Sequence, residues 1–176
     1  MKTNTKIYFL AYKKSLTGLI VIVVLGLLVF SVRALTAPPS PVPANIKRQA
    51  DFKVIYAKGY DYTNANWKYQ SSNNLLSFNI EKNGSSVVLT EQKTPLAYQD
   101  DIAAYNRFIG SLRPSATFNA PLGSVSITNF VTAGDFQAVG STGILNAKGT
   151  LLLAHADNKL NEEQWRGLFN SLKFDN

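Results

Sequence analysis

The run from Leu16 to Val32, "LTGLIVIVVLGLLVFSV", holds seventeen residues without a charge, interrupted only by Thr17, Gly18, Gly26 and Ser31. At about 1.5 Å of rise per residue it reaches roughly the lower limit for a hydrocarbon core about 30 Å thick. Ala34 and Leu35, with the Arg33 side chain reaching back to the interface, complete a span over residues 16–35. The run has no polar face, which sets it apart from a surface helix of a globular fold. A cleavable signal usually has an apolar region of about 7–15 residues and a small-x-small cleavage site. Val32-Arg33-Ala34 matches that site poorly and the run is longer, so the segment reads as a retained anchor.

Charge gives the orientation. Lys2, Lys6, Lys13 and Lys14 precede the span and only Arg33 closely follows it. The positive-inside rule then makes residues 1–15 a short cytoplasmic tail and places the rest of the chain outside the cytoplasmic membrane. Residues 36–44, "TAPPSPVPA", carry four prolines. Such a segment favours polyproline II and serves as a semi-rigid spacer.

Residues 45–176 remain for a single domain, long enough to bury a core without crosslinks. The chain has no cysteine, which excludes disulfides, thiolate metal sites, cysteine nucleophiles and a lipidated cysteine. The net charge of +7 belongs mostly to the membrane segment, because thirteen Lys and Arg face all eleven Asp and Glu from residue 45 onward. A nucleic-acid binder would carry a dense basic stripe on the domain, so no nucleic acid is expected as a partner.

Within the domain, Phe52, Val54 and Tyr56 alternate with Lys53, Ile55 and Ala57, the pattern of a first strand. An aromatic, turn-rich stretch leads to a short strand at Trp67–Gln70. Leu76, Phe78 and Ile80 alternate up to Asn83-Gly84, and Val87 to Glu91 follow, which predicts a hairpin with a type I′ turn. The same turn accounts for Asn83-Gly84-Ser85, which also matches a glycosylation sequon. Asp100 or Asp101 can cap a helix whose apolar face is Ile102, Tyr105, Ile109 and Leu112, ended by Arg113-Pro114.

Further strands are expected at 124–130, 136–141 and 150–156. Asn161 reads as the N-cap of a last helix, with Glu162, Glu163 and Gln164 in its first turn. Leu160 can staple to Trp165, and Trp165, Leu168, Phe169 and Leu172 form the stripe. The order predicts an α+β domain: an antiparallel sheet with two helices packed on one side. The two halves, each a run of strands closed by a helix, loosely resemble each other.

Chemistry-bearing residues are sparse. His155 is the only histidine and shares a strand face with Leu151 and Leu153, so it reads as structural; one histidine with scattered carboxylates is no metal cluster. Asp157 and many serines are present without a nucleophile elbow. Asp100 and Asp101 read as caps, and "GSTGILNAKGT" as a hairpin connection and not a phosphate loop. No cofactor, metal or catalytic residue is expected. Tyr60, Tyr62, Trp67 and Tyr69 are the candidate partner or ligand contacts, since rings with polar tips can stack on sugars or receive a peptide or lipid.

The runs "LLSFNIEKNGSSVVLTEQKTP", "APLGSVSITNF" and "GTLLLAHADNKLNEEQWRGLFNSL" are similar to uncharacterised bacterial domains on single-pass membrane proteins. More distantly the pattern resembles sigma-E regulatory and lipoprotein-carrier-like folds. The resemblance covers most of residues 52–172 and implies a curved antiparallel sheet that holds helices and can enclose an apolar ligand. It implies no catalytic residue. The tail of about 15 residues is too short for a cytoplasmic sigma-binding domain.

The expected function is therefore binding by a membrane-anchored extracytoplasmic domain, with an envelope protein, a polymer or an apolar ligand as partner. The rivals are an envelope hydrolase using Glu91, Asp100 or His155, and a scaffolding subunit of a membrane complex.

Overall fold

The computed structural model describes residues 40–130, 140–158 and 160–175. The expected cytoplasmic tail, the membrane span, residues 36–39 of the spacer and residues 136–139 of one expected strand lie outside them. Among the described residues no helix is long and apolar enough to cross a membrane.

The fold begins at Ser40. Val42 is already buried, and helix α1 (Ala44–Gln49) follows with Ile46 in the core. The last residues of the expected spacer therefore belong to the domain. Strands β1 (Ile55–Ala57), β2 (Lys68–Gln70), β3 (Leu75–Lys82) and β4 (Ser85–Lys93) come next, then helices α2 (Leu96–Gln99) and α3 (Ile102–Ser111). Strands β5 (Ala116–Ala120), β6 (Gly123–Phe130), β7 (Gly140–Ala147) and β8 (Thr150–Ala156) precede helix α4 (Glu162–Ser171) and strand β9 (Leu172–Phe174). The domain is α+β.

Seven strands form one antiparallel sheet in the order β2-β3-β4-β8-β7-β6-β5, and β1 and β9 pair as a separate two-stranded ribbon. Local chemistry sets the two long hairpins. Asn83 and Gly84 take φ of 51° and 77° between Lys82 and Ser85, the expected I′ geometry. Lys148 and Gly149 repeat it at the β7–β8 turn, with φ of 46° and 86°. The capping box of α4 is complete. The Asn161 side chain accepts from the Gln164 N–H at 2.8 Å, and Gln164 Oε1 accepts from the Asn161 N–H at 2.9 Å. Asp101 caps α3 by accepting from the Ala104 N–H at 2.9 Å.

The helices do not share one side of the sheet. Trp165, Leu168 and Phe169 of α4 pack in the main core with Leu145, Leu152 and Ala154. Tyr105 and Ile109 of α3 pack with Ile144 and Leu151. Neighbours along a strand point to opposite faces, so Leu151 and Leu152, or Ile144 and Leu145, put the two helices on opposite faces. Duplication of the halves would relate β4 to its antiparallel neighbour β8 by a twofold axis normal to the sheet, leaving both helices on one face. Their placement argues against it.

Other expectations are corrected by tertiary contacts. The first strand is shorter than the expected alternation from Phe52, buries Ile55 and Ala57, and pairs with β9 and not with the main sheet. The strand expected at 136–141 begins at Gly140 and runs to Ala147, so only the end of "GSTGILNAKGT" is a hairpin connection. Ile102 is 68 % exposed, and Tyr105 and Ile109 alone of the expected α3 face are buried. Leu172 caps α4 and starts β9. Gly143 explains how α4 lies so close: a Cβ there would collide with the Phe169 ring.

Candidate functional site

Three of the four candidate aromatics are used inside the fold. Trp67 stacks on Phe78 with ring centroids 4.0 Å apart, and Tyr62 lies nearly parallel to Trp67 at 5.9 Å. The Tyr62 hydroxyl accepts from the Ala57 N–H at 2.6 Å and donates to the Ala57 carbonyl at 3.1 Å, tying the loop to β1. Burial pushes that hydroxyl well above the usual tyrosine range. Tyr69 donates to the Asn74 side chain, whose amide in turn bonds Asp51. That amide, and Lys93 after it, hold the Asp51 carboxyl below its usual range.

Tyr60 is different. It lines a cleft of about 290 Å³ with Lys82, Asn83, Ser85 and Val87 from the β3–β4 hairpin and Leu160, Glu163 and Gln164 from the start of α4. The Lys82 ammonium stands 4.9 Å from the centre of the Tyr60 ring, a cation–π contact. Gln164 spends its oxygen on the capping box, which leaves its amide N–H groups for a ligand.

A second cleft of about 250 Å³ shares the Leu160 wall. Its lining combines Phe118, Ile127 and Trp165 with Ser115, Asn129, Ser141, Asn161 and Glu162. The Ser141 hydroxyl is buried and has no hydrogen-bond partner among the described residues. Both clefts border the N-terminus of α4, the first against the β3–β4 hairpin and the second against β5, β6 and β7. None of this second lining was expected, because β5 and the true start of β7 carry no clear alternation in the sequence. The Leu160–Asn161–Gln164 staple and capping box was the one legible signal there.

The carboxylates and the histidine proposed for hydrolysis are not brought together. Glu91 is fully buried and faces the α4 side, opposite Leu152 in the ladder. Its Oε2 accepts from the Ile55 N–H at 2.9 Å, while Oε1 has no partner among the described residues. Burial pushes this carboxyl well above the usual range, with the Ile55 N–H bond opposing the shift. His155 faces the other side. Its Nδ1 is 3.0 Å from Thr142 Oγ1 and its Nε2 is 3.2 Å from Asp157.

That hydroxyl–imidazole–carboxylate order has the form of a nucleophilic relay. Thr142 is buried in the middle of the β6–β7–β8 ladder and Asp157 is almost wholly in water; the arrangement fixes the ring against the strand. Asp100 is exposed at the α2–α3 junction. Among the described residues no group of three His, Asp or Glu could hold a metal ion.

Comparison of the chain with family models, curated proteins and solved structures finds no match.

Proposed function

We propose that the chain is a membrane-anchored extracytoplasmic domain that binds an envelope polymer in the two clefts on either side of Leu160. The observation that carries this reading is the lining: the partly exposed Tyr60 ring with hydroxyls and amides from Ser85, Ser115, Asn129 and Gln164, and in the second cleft the buried Phe118 ring with the Arg166 guanidinium 4.7 Å over it. Rings that cover apolar sugar faces, beside groups that bond hydroxyls and amides, suit a glycan or its peptide cross-links. An apolar ligand fits less well. Clefts of about 250–290 Å³ fall just below the usual range for a small-molecule site, roughly 300–1,000 Å³. Trp165, Phe169 and Phe78 fill the interior that such a ligand would need.

The test is co-sedimentation of the detergent-solubilised full chain with purified cell-wall sacculi. Losing one ring contact should cost about 1 kcal/mol, so Tyr60→Ala should weaken binding roughly fivefold with an unchanged melting curve. Binding that Tyr60→Ala and Asn129→Ala leave untouched, or no binding at all, overturns the polymer reading. The hydrolase reading returns if alanine at Glu91, Asp100 or His155 abolishes a measured activity without unfolding the chain.

A further inference from the structure

We infer that the sheet end opposite the clefts is a lipid-facing surface, docked on the anionic phospholipid headgroups of the bilayer that anchors the chain. This rests on the anchor reading of residues 16–35 and adds a surface to it.

Two observations meet at this end. The first is apolar: Leu96 is 78 % exposed and Ile102 is 68 % exposed, both on the α2–α3 segment. Isolated exposed leucines need no explanation, but these two stand beside a concentration of cations. Lys93 closes β4 opposite Thr150, and the Thr94 N–H donates to the Gly149 carbonyl at 2.8 Å. Lys148 occupies the same turn, and the Thr150 hydroxyl donates to the Lys53 carbonyl at 2.8 Å. These bonds hold Lys53, Lys93 and Lys148 around one end of the sheet, with Leu96 two residues past Thr94.

Acidic residues occupy only part of this charge. Lys93 pairs with Asp51 at 3.4 Å, Lys47 with Asp175 at 2.8 Å and Arg107 with Asp101 at 3.5 Å, while Asp100 is a further exposed carboxylate. Lys53, Lys148 and Arg48 form no ion pair among the described residues. Cations held near an anionic surface are drawn to it, and apolar side chains on a basic surface supply the interfacial insertion.

The chain also enters the domain here. Lys47 of α1 reaches Asp175, and the Asp175 N–H donates to the Val54 carbonyl at 2.8 Å, next to Lys53. Because the fold begins at Ser40, only residues 36–39 of the spacer remain between it and the expected span. The clefts lie at the opposite end of the sheet, the first beside Asn83.

The absence of native cysteine makes the test clean. Single variants Leu96→Cys, Ile102→Cys and Asn83→Cys of the full chain carry an environment-sensitive fluorophore in phosphatidylcholine vesicles with and without phosphatidylglycerol. The labels at 96 and 102 should shift to the blue and be quenched by lipid-borne quencher when phosphatidylglycerol is present, and lose both effects in high salt. The label at 83 should do neither. Lys53→Glu with Lys148→Glu should abolish the response at 96.

Equal behaviour of the labels at 96 and 83 overturns the inference. So does a shift at 96 that ignores phosphatidylglycerol but grows with protein density, which means a second copy covers the patch. Alkaline carbonate extraction separates the two readings: a chain stripped from the vesicles refutes the anchor, whereas a retained chain with a water-exposed label at 96 refutes only the docking surface.

Discussion

The face of the sheet under α4 and the face under α3 are made by the same strands and carry different cores. Under α4, Phe78, Leu89, Leu145, Leu152, Leu168 and Phe169 are essentially sealed from solvent, and α1, β1 and β9 complete the cover. Under α3 the buried apolar set is Tyr105, Ile109, Ile144 and Leu151, and the polar Ser126, Thr128 and Thr142 are buried beside it. Thr128 donates to the Leu112 carbonyl at 3.2 Å and Thr142 meets His155. One face thus supplies most of the hydrophobic driving force, which scales with apolar area removed from water. The other attaches a helix largely through a few contacts and polar anchors. Both clefts lie on the heavily packed side, where rigid elements can position a ligand.

This comparison breaks most directly at Trp165. Truncating a buried Trp to alanine typically costs about 3–5 kcal/mol out of the roughly 5–15 kcal/mol that holds a domain together. Trp165→Ala should therefore unfold or severely destabilise the protein, read as the loss or a large drop of the melting temperature. A Trp165→Ala protein that melts normally would show that the α4 face is not the dominant core.

Glu91 tests the same face through pH. Its folded-state carboxyl titrates well above the ordinary value because of burial, so between the two pKa values the native state keeps a proton that the unfolded chain releases. Stability is then fully present below the unfolded pKa and falls as pH rises toward the folded one. The slope is at most about 1.4 kcal/mol per pH unit. Urea midpoints measured from pH 4.5 upward should decline in the wild type and flatten in Glu91→Gln. A decline of equal slope in both would assign the pH dependence elsewhere.

The thinner face should respond less. Ile109→Ala should cost about 2 kcal/mol, the low end for an isoleucine truncation, since this layer is shallow and can collapse around the gap. A loss as large as that of Trp165→Ala would erase the difference between the faces. Smallest of all, Ile102→Ser should change stability by less than about 0.5 kcal/mol in detergent, as expected of an exposed site. A clear destabilisation there would mean that Ile102 packs against the fold.

Much of this was readable residue by residue. The Asn83-Gly84 turn, the Asp101 cap, the Asn161 capping box and the alternation of Leu76, Phe78 and Ile80 are governed by neighbours within a few positions, and the structure keeps each of them. The α3 helix was equally legible, but its buried side was not: Ile102 fits the periodic pattern and still lies in water, because α3 meets the sheet only through its later turns. For the site, Tyr60 was legible as an aromatic with a polar tip. Its difference from Tyr62 and Trp67 was not, since all three are half-buried rings separated by loop residues. Only the stacking on Phe78 and the hydrogen bonds to Ala57 single out which rings are structural.

The sequence by itself determined an α+β chain of antiparallel hairpins closed by a capped C-terminal helix, because turns, caps and period-two patterns depend on short-range sterics and hydrogen bonding. Tertiary structure alone decided which face each helix covers, that "GSTGILNA" is an inner strand, and that Glu91 is buried in the core. Thr142 to Ala147 reads as a hairpin connection until β6 and β8 bond it on both edges, and Glu91 stays a candidate hydrolytic acid until Ile55 and the α4 core close over it. Those outcomes depend on partners distant in the chain, for which local sequence carries no physical signal.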